Sequence, residues 1–266
     1  MIDESDAQLA SRLATAAGRR LLELRDSLDL IDPPEVRDAG DRAAQELLAA
    51  ELAASRPDDA VLSEEAPDDA ARLAADRVWI IDPLDGTREY AEGRHDWAVH
   101  VGLWARAGRD GGELVAGAVA LPGIGVTLSA DDPPADGTTS GGHLLPRIAV
   151  SRTRAPALAH KAVAKLGGEL VPMGSAGYKV AAVVRGEVDA YLHAGGQYEW
   201  DSAAPVAVAQ AAGLHTSRLD GSPLRYNRPD PYLPDLLVCR PELADPLLAI
   251  CRSAATLPPT SVRSAT

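Results

Sequence analysis

The segment Val78-Trp79-Ile80-Ile81-Asp82-Pro83-Leu84-Asp85-Gly86-Thr87 joins a short apolar run to acidic, turn-forming sequence. That pattern suits a buried strand delivering carboxylates at its C-terminal end. Pro83 stiffens the turn, and Gly86 lets the backbone approach closely while Asp85 turns toward the same point as Asp82. Two carboxylates and the Leu84 carbonyl would then share a cation. Hard oxygen donors with no neighbouring His or Cys cluster favour Mg²⁺ over Zn²⁺. Taken alone, Asp-Pro-x-Asp-Gly is equally good β-turn sequence, so the surroundings must decide.

Before this segment, Ser5 and Gln8 form a capping-box pattern, and Leu9, Leu13, Ala17, Leu21, Leu24 and Leu28 recur at helical spacing, predicting a helix over 6–28. A second amphipathic helix is expected from near Asp41 to Ser55, and Val61-Leu62 reads as another buried strand. After the segment, Trp97–Trp104, Leu114–Leu121 and Gly125–Ser129 suggest an antiparallel sheet. The loop-like stretch 131–142 marks an expected boundary between an N-terminal α+β lobe (1–142) and a C-terminal lobe (143–255). The second lobe alternates strand and helix: Arg147–Val150, Ala155–Leu166, Ala176–Arg185, Val188–His193, then Ser202–Ala212 closed by Gly213. Residues 256–266, rich in Pro, Ser and Thr, read as a loose tail.

The 266 residues, 46 % apolar, are enough for a buried core, and the net charge of −13 opposes binding to duplex nucleic acid. A small phosphorylated substrate is compatible with that charge, because divalent ions held by carboxylates reverse the local field. No basic start precedes an apolar run, and no apolar stretch reaches the roughly 20 residues of a membrane span, so a soluble cytoplasmic protein is expected. Cys239 and Cys251 fit neither a disulfide framework nor a CxxC motif and read as reduced thiols in a packed region.

Ser63-Glu64-Glu65 ends an earlier strand, and Trp200-Asp201-Ser202-Ala203-Ala204 opens a later helix. With Asp82–Thr87 between them, the chain resembles the inositol monophosphatase superfamily, which carries a Glu-Glu pair, a DP(I/L)DGT segment and a WD-containing helix start in this order. The resemblance covers nearly the whole chain. It implies an α/β (α+β) fold, the layered αβαβα sandwich of the inositol monophosphatase and fructose-1,6-bisphosphatase type, and phosphate-ester hydrolysis with two or three Mg²⁺ ions and sensitivity to Li⁺. By the same resemblance Glu64, Asp82 and the Leu84 carbonyl form one metal site and Asp82, Asp85 and Asp201 a second. Thr87 with Asp41 would orient the attacking water. On local sequence Asp41 is equally a helix N-cap, and Glu65, Asp68 and Asp69 equally an exposed acidic face. At Asp38, where relatives usually carry threonine, the extra carboxylate would cap the helix or join the metal shell.

Longer matches, including Val78–Tyr90, Val150-Ser151-Arg152 and Gly174-Ser175-Ala176-Gly177-Tyr178-Lys179, resemble CysQ-type 3′-phosphoadenosine 5′-phosphate phosphatases of the actinobacterial branch. They imply removal of the 3′-phosphate in sulfate assimilation. An inositol-1-phosphate or fructose-1,6-bisphosphate phosphatase shares the same metal chemistry, and a silent binding protein of this fold is a further alternative. Gly86 and Thr87 would offer backbone N–H groups to the phosphate, and Ser151 and Arg152 resemble a substrate-side pair. Lys179, one turn after Gly174-Ser175, is either a substrate contact or a solvated helix lysine. Asp201 joins the substrate-side residues. His193 and Tyr191 share a strand face toward the cleft or pack there, with Tyr226 a rim candidate. A homodimer is common among relatives.

Overall fold

The computed structural model describes residues 4–27, 32–108, 111–133 and 145–255. Two long helices, α1 (Asp6–Ser27) and α2 (Pro33–Ser55), precede strands β1 (Ala60–Ser63) and β2 (Arg77–Asp85). The short helix α3 (Thr87–Ala91) leads to β3 (Ala98–Arg106), β4 (Gly112–Leu121) and β5 (Val126–Ser129). These strands form one sheet in the order β1-β2-β3-β4-β5, with β1 and β2 parallel and the remaining pairs antiparallel. The chain continues through β6 (Arg147–Ser151), α4 (Ala157–Leu166), β7 (Glu169–Met173), α5 (Ala176–Val184), β8 (Ala190–Tyr198) and α6 (Ala203–Ala211). It ends with β9 (His215–Ser217), β10 (Tyr232–Cys239) and α7 (Pro241–Ala255). The second sheet runs β7-β6-β8-β10-β9, and β6 is parallel to both of its neighbours.

Side chains alternate across a strand, so each sheet feeds two cores. On β2, Trp79 and Ile81 pack with Leu9, Leu13 and Leu48 of the first two helices, whereas Val78 and Ile80 pack with Val180, Val183 and Val206 of α5 and α6. The second sheet covers the other side of α5 and α6 through Tyr191 and Val238, and its outer face carries Leu192 and Leu237 against Leu247 and Ile250 of α7. Five layers result, αβαβα, as the resemblance implies.

The second helix begins at Pro33, not near Asp41. Proline is pre-organised for the first turn of a helix and needs no N–H there, so Pro33-Pro34 starts the helix. Asp38 and Asp41 therefore lie inside α2, one turn apart, and neither caps it. Strands β7, β9 and β10 and helix α7 escape the sequence pattern. Pro172 sits on an edge strand, Pro234 falls at a bulge opposite β8, and Pro246 lies within α7, each a position where proline reads as a breaker. The expected lobe boundary at 142/143, Leu28 and the tail 256–266 lie outside the described residues. Both cysteines are free and buried, and no described helix is long and apolar enough to cross a membrane.

The middle layer approaches the first sheet through a cross-strand pair of glycines, Gly102 and Gly117. A Cβ at Gly117 would lie 2.6 Å from Ala207 Cβ and 3.0 Å from the Ala204 carbonyl oxygen. This contact brings the start of α6, and Asp201 just before it, against the first sheet. Gly117→Ala is expected to lower stability by about 1–3 kcal/mol through overpacking. Urea unfolding reads the change, and unaltered stability would contradict the close approach.

Candidate metal centre

The register of β2 explains why Asp82 and Asp85 face the same space. Asp82 pairs with His100, whereas Asp85 pairs with Ala98, so three steps on β2 match two on β3. One extra residue in this bulge reverses the alternation. Without it the two aspartates would point to opposite faces. With it, Asp82, Asp85 and His100 all face the middle layer, and all three are buried. One donor atom from each lies within 4.8 Å of those from the other two.

Each aspartate has one oxygen held by the protein. Asp82 Oδ1 accepts from the Leu84 N–H at 3.1 Å. Asp85 Oδ2 accepts from Ser175 Oγ at 2.5 Å and from the Gly177 N–H at 2.6 Å, with His100 Nε2 at 3.3 Å. Asp201 Oδ2 accepts from the Tyr198 N–H at 2.6 Å. The second oxygen of each accepts no hydrogen bond among the described residues. Such fixed carboxylates with a free oxygen are oriented for a cation, since groups behind a metal ligand set its direction. The donor set, rich in oxygen and without thiolate, fits a hard divalent ion.

His100 is the residue the sequence reading missed. Its Nδ1 donates to the Trp200 carbonyl at 3.0 Å and its Nε2 points at Asp85, so the ring braces both neighbours of the centre. Pairing β3 against β2 would have exposed it, because Ala98, His100 and Gly102 share one strand face. At Gly177 a Cβ would collide with the His100 ring, and its N–H is needed by Asp85.

Ser175 adopts a left-handed conformation, φ 49°, rare for a residue with a side chain. Three bonds hold it there. Its hydroxyl donates to Asp85, the same oxygen accepts from the Tyr178 N–H at 2.9 Å, and its carbonyl accepts from Lys179 Nζ at 2.5 Å. Lys179 also donates to the Gly174 carbonyl at 3.2 Å and is only 5 % exposed. The N-terminus of α5 thus faces Asp85, and Lys179 supports the Gly174-Ser175 turn in place of the solvated or nucleotide-facing positions expected for it. Gly174 N–H donates to Asp96 Oδ2 at 2.7 Å, which ties this turn to the segment that leads into β3.

The first-sheet residues also converge. Gly86, φ 92°, caps α3, and Thr87 is its half-buried first residue. At Gly40, α2 packs on Leu84 and Tyr90, which sets Asp41 beside the segment in a hollow of about 360 Å³ shared with Asp38, Gln45 and Glu65. No hydrogen bond joins Asp41 to Thr87 among the described residues. Ser151 ends β6 and is half-buried. Arg152 is paired with Glu89 at 3.0 Å and Glu92 at 2.7 Å, which clamps the second sheet to α3. His193 bonds the Gly196 carbonyl at 2.9 Å and the Tyr191 hydroxyl at 3.2 Å. Tyr226 is buried with its hydroxyl 3.2 Å from Ser202, not at a rim.

A further strut was invisible in the sequence. Glu199, fully buried two residues before Asp201, accepts from the Asn227 N–H at 2.7 Å and the Arg228 N–H at 2.8 Å. Buried Arg72 donates to the Asn227 side-chain oxygen at 2.7 Å and the Arg228 carbonyl at 2.9 Å. The loop after Glu64-Glu65 and the turn carrying Asp201 are therefore fastened to the same residues.

Crowded carboxylates resist ionisation. Desolvation, and then the charges of Asp201, Asp85, Glu65 and Asp41, push Glu64 up to about 8 even though it remains accessible. Burial and Glu65 push Asp41 up to about 7, and burial and Asp85 push Asp201 up to about 6. Asp82 is raised well above the usual carboxylate range by burial and by Glu64. Burial would raise Asp85 as well, but His100 and Ser175 outweigh it and hold Asp85 down at about 2.

A layered fold with an acidic centre between its sheets is shared by a family of phosphatases, and the sequence matches it. The chain belongs to the inositol monophosphatase family over residues 10–254. It is 56 % identical over 257 residues, 93 % of this chain and 94 % of the relative, to the 3′-phosphoadenosine 5′-phosphate phosphatase of Mycobacterium leprae. It is 30 % identical, over 84 % of this chain and 94 % of the relative, to the 3′(2′),5′-bisphosphate nucleotidase CysQ of Escherichia coli K12. Among solved structures, CysQ from Bacteroides thetaiotaomicron aligns with a TM-score of 0.73 at 26 % identity, covering 90 % of this chain and 98 % of that one. Inositol monophosphatase II from Staphylococcus aureus shares the fold, with a TM-score of 0.76 at 21 % identity over 90 % and 92 % of the two chains.

A carboxyl whose folded pKa exceeds its unfolded value binds its proton more tightly when folded, so stability falls as pH rises between the two values. For Glu64 that window runs from 4.5 to about 8, and for Asp41 from 3.8 to about 7. In chelator the melting temperature is expected to fall between pH 6 and pH 8, and added divalent cation to raise it more at pH 8 than at pH 6. Calorimetry across that range checks both, and a cation effect independent of pH would contradict the assignment.

Proposed function

We propose that this protein is a Mg²⁺-dependent phosphatase that removes the 3′-phosphate of 3′-phosphoadenosine 5′-phosphate, releasing AMP and inorganic phosphate. The reading is carried by the 56 % identity, over 93 % of the chain, to a relative named for that activity. The acidic centre supports it chemically. Glu64, Asp82 and the Leu84 carbonyl would hold one ion, and Asp82, Asp85 and Asp201 would hold a second. When bound, Mg²⁺ supplies a water of lowered pKa and neutralises charge on the phosphate oxygens.

The chain's own groups then position the reactants. Thr87, with Asp41 in the adjoining hollow, orients the attacking water. Gly86 and Thr87 offer backbone N–H groups to the phosphate. Asp85, anchored on three sides, keeps its second oxygen fixed toward the ions, so no reorganisation is needed as charge develops. The residues up to about 142 form one lobe bearing most of the ligands, and residues 143–255 a second bearing Asp201 and the substrate contacts. The reaction is assigned to the cytoplasm, as part of sulfate assimilation.

Asp82→Asn is expected to lower phosphate release by more than about 100-fold while circular dichroism stays unchanged. Unreduced turnover would refute the site. Side-by-side turnover of 3′-phosphoadenosine 5′-phosphate, inositol-1-phosphate and fructose-1,6-bisphosphate by one sample tests the substrate, and equal efficiencies would refute the nucleotide reading.

A further inference from the structure

Strands β6, β7 and β8 are parallel, so their C-terminal ends open along one edge of the second sheet, where α/β sheets bind ligands. That edge adjoins the metal centre. The end of β7 runs into the turn whose Ser175 holds Asp85, and Lys179 from the same turn lies 5.1 Å from the centre of the Tyr191 ring on β8. Tyr191 in turn meets His193. Beyond His193 is a hollow of about 150 Å³ lined by Ser151, Arg154, His193 and the Gly195-Gly196 backbone. A volume equal to about five waters admits a phosphoryl group.

The cations near this edge differ in their partners. Arg152 is matched by Glu89 and Glu92, Arg94 by Asp96 at 2.7 Å, and Lys179 is buried against two carbonyls. Arg154 is exposed and forms no ion pair among the described residues, and no carboxylate lines its hollow. In a chain of net charge −13, an uncompensated guanidinium over an acid-free hollow is a place for an anion. A nucleotide whose 3′-phosphate lies at the metals carries a second phosphate that needs such a partner.

We propose that Arg154, rather than Arg152, binds the second phosphate of the substrate, in the hollow formed with Ser151, His193 and Gly195-Gly196. This rests on the nucleotide reading above and names the residue that separates a bisphosphate from a monophosphate. The guanidinium donates two N–H groups to the phosphate oxygens, and the Ser151 hydroxyl completes the site.

The test compares wild type, Arg154→Ala and Arg154→Lys on 3′-phosphoadenosine 5′-phosphate and on adenosine 3′-monophosphate, which lacks the 5′-phosphate. Arg154→Ala is expected to raise KM for the bisphosphate about 10- to 100-fold, with kcat/KM for the monophosphate kept within about twofold, and Arg154→Lys to recover part of the loss. An Arg154→Ala enzyme that keeps the wild-type preference for the bisphosphate would overturn the proposal, as would an equal loss on both substrates. If wild type itself shows no preference between the two, the nucleotide reading fails, and this proposal with it.

Discussion

The buried carboxylate of Asp85 is where the first sheet meets the middle layer. It leaves β2 through a bulge, accepts hydrogen bonds from Ser175 and Gly177 at the start of α5, and lies beside the His100 ring from β3. These contacts keep one buried acid ionised while its neighbours are pushed toward protonation. The left-handed turn at Ser175, the missing side chain at Gly177 and the buried ammonium of Lys179 all serve this one oxygen. The same contacts help set how the second sheet lies against the first, and therefore where Ser151 and Arg154 stand relative to the acidic centre.

Around that anchor the protein concentrates like charges in a way that costs stability in the absence of a cation. Glu64 follows β1, Asp82 lies on the bulged strand β2 and Asp201 stands just before α6, and the charges of Glu64 and Asp201 both raise Asp82. The Arg72–Asn227–Glu199 strut holds the first and last of these approaches to a common point. Repulsion that would open an unsupported cluster is resisted by cores on both faces of the first sheet. Destabilisation stored in this way favours any ligand that brings positive charge.

Much of this was legible in the residues. The apolar run ending at Asp82, the order of Glu64, Asp82–Thr87 and Asp201, and the strand and helix alternation of the second half lead to the observed layers. What stayed hidden depended on pairing. The bulge is a property of two strands, and His100 acquires its place only when β3 lies against β2. Proline lies within β10 and α7, which the sequence pattern did not show, and Pro33 starts α2 earlier than expected, which places Asp38 and Asp41 in a helix interior. The residue types were also silent about partners, since Arg152 is matched by two glutamates and Arg154 by none among the described residues.

The proposed phosphatase site requires the free oxygens of Asp82 and Asp85 to bind one divalent ion between them. Crystals soaked in Mn²⁺, examined by anomalous scattering, test it most directly. An anomalous peak is expected in contact with both Asp82 Oδ2 and Asp85 Oδ1, within roughly the 2.0–2.6 Å that hard divalent cations keep from oxygen ligands. A fully soaked crystal with no peak between these carboxylates, or with its strongest peak elsewhere, would contradict it.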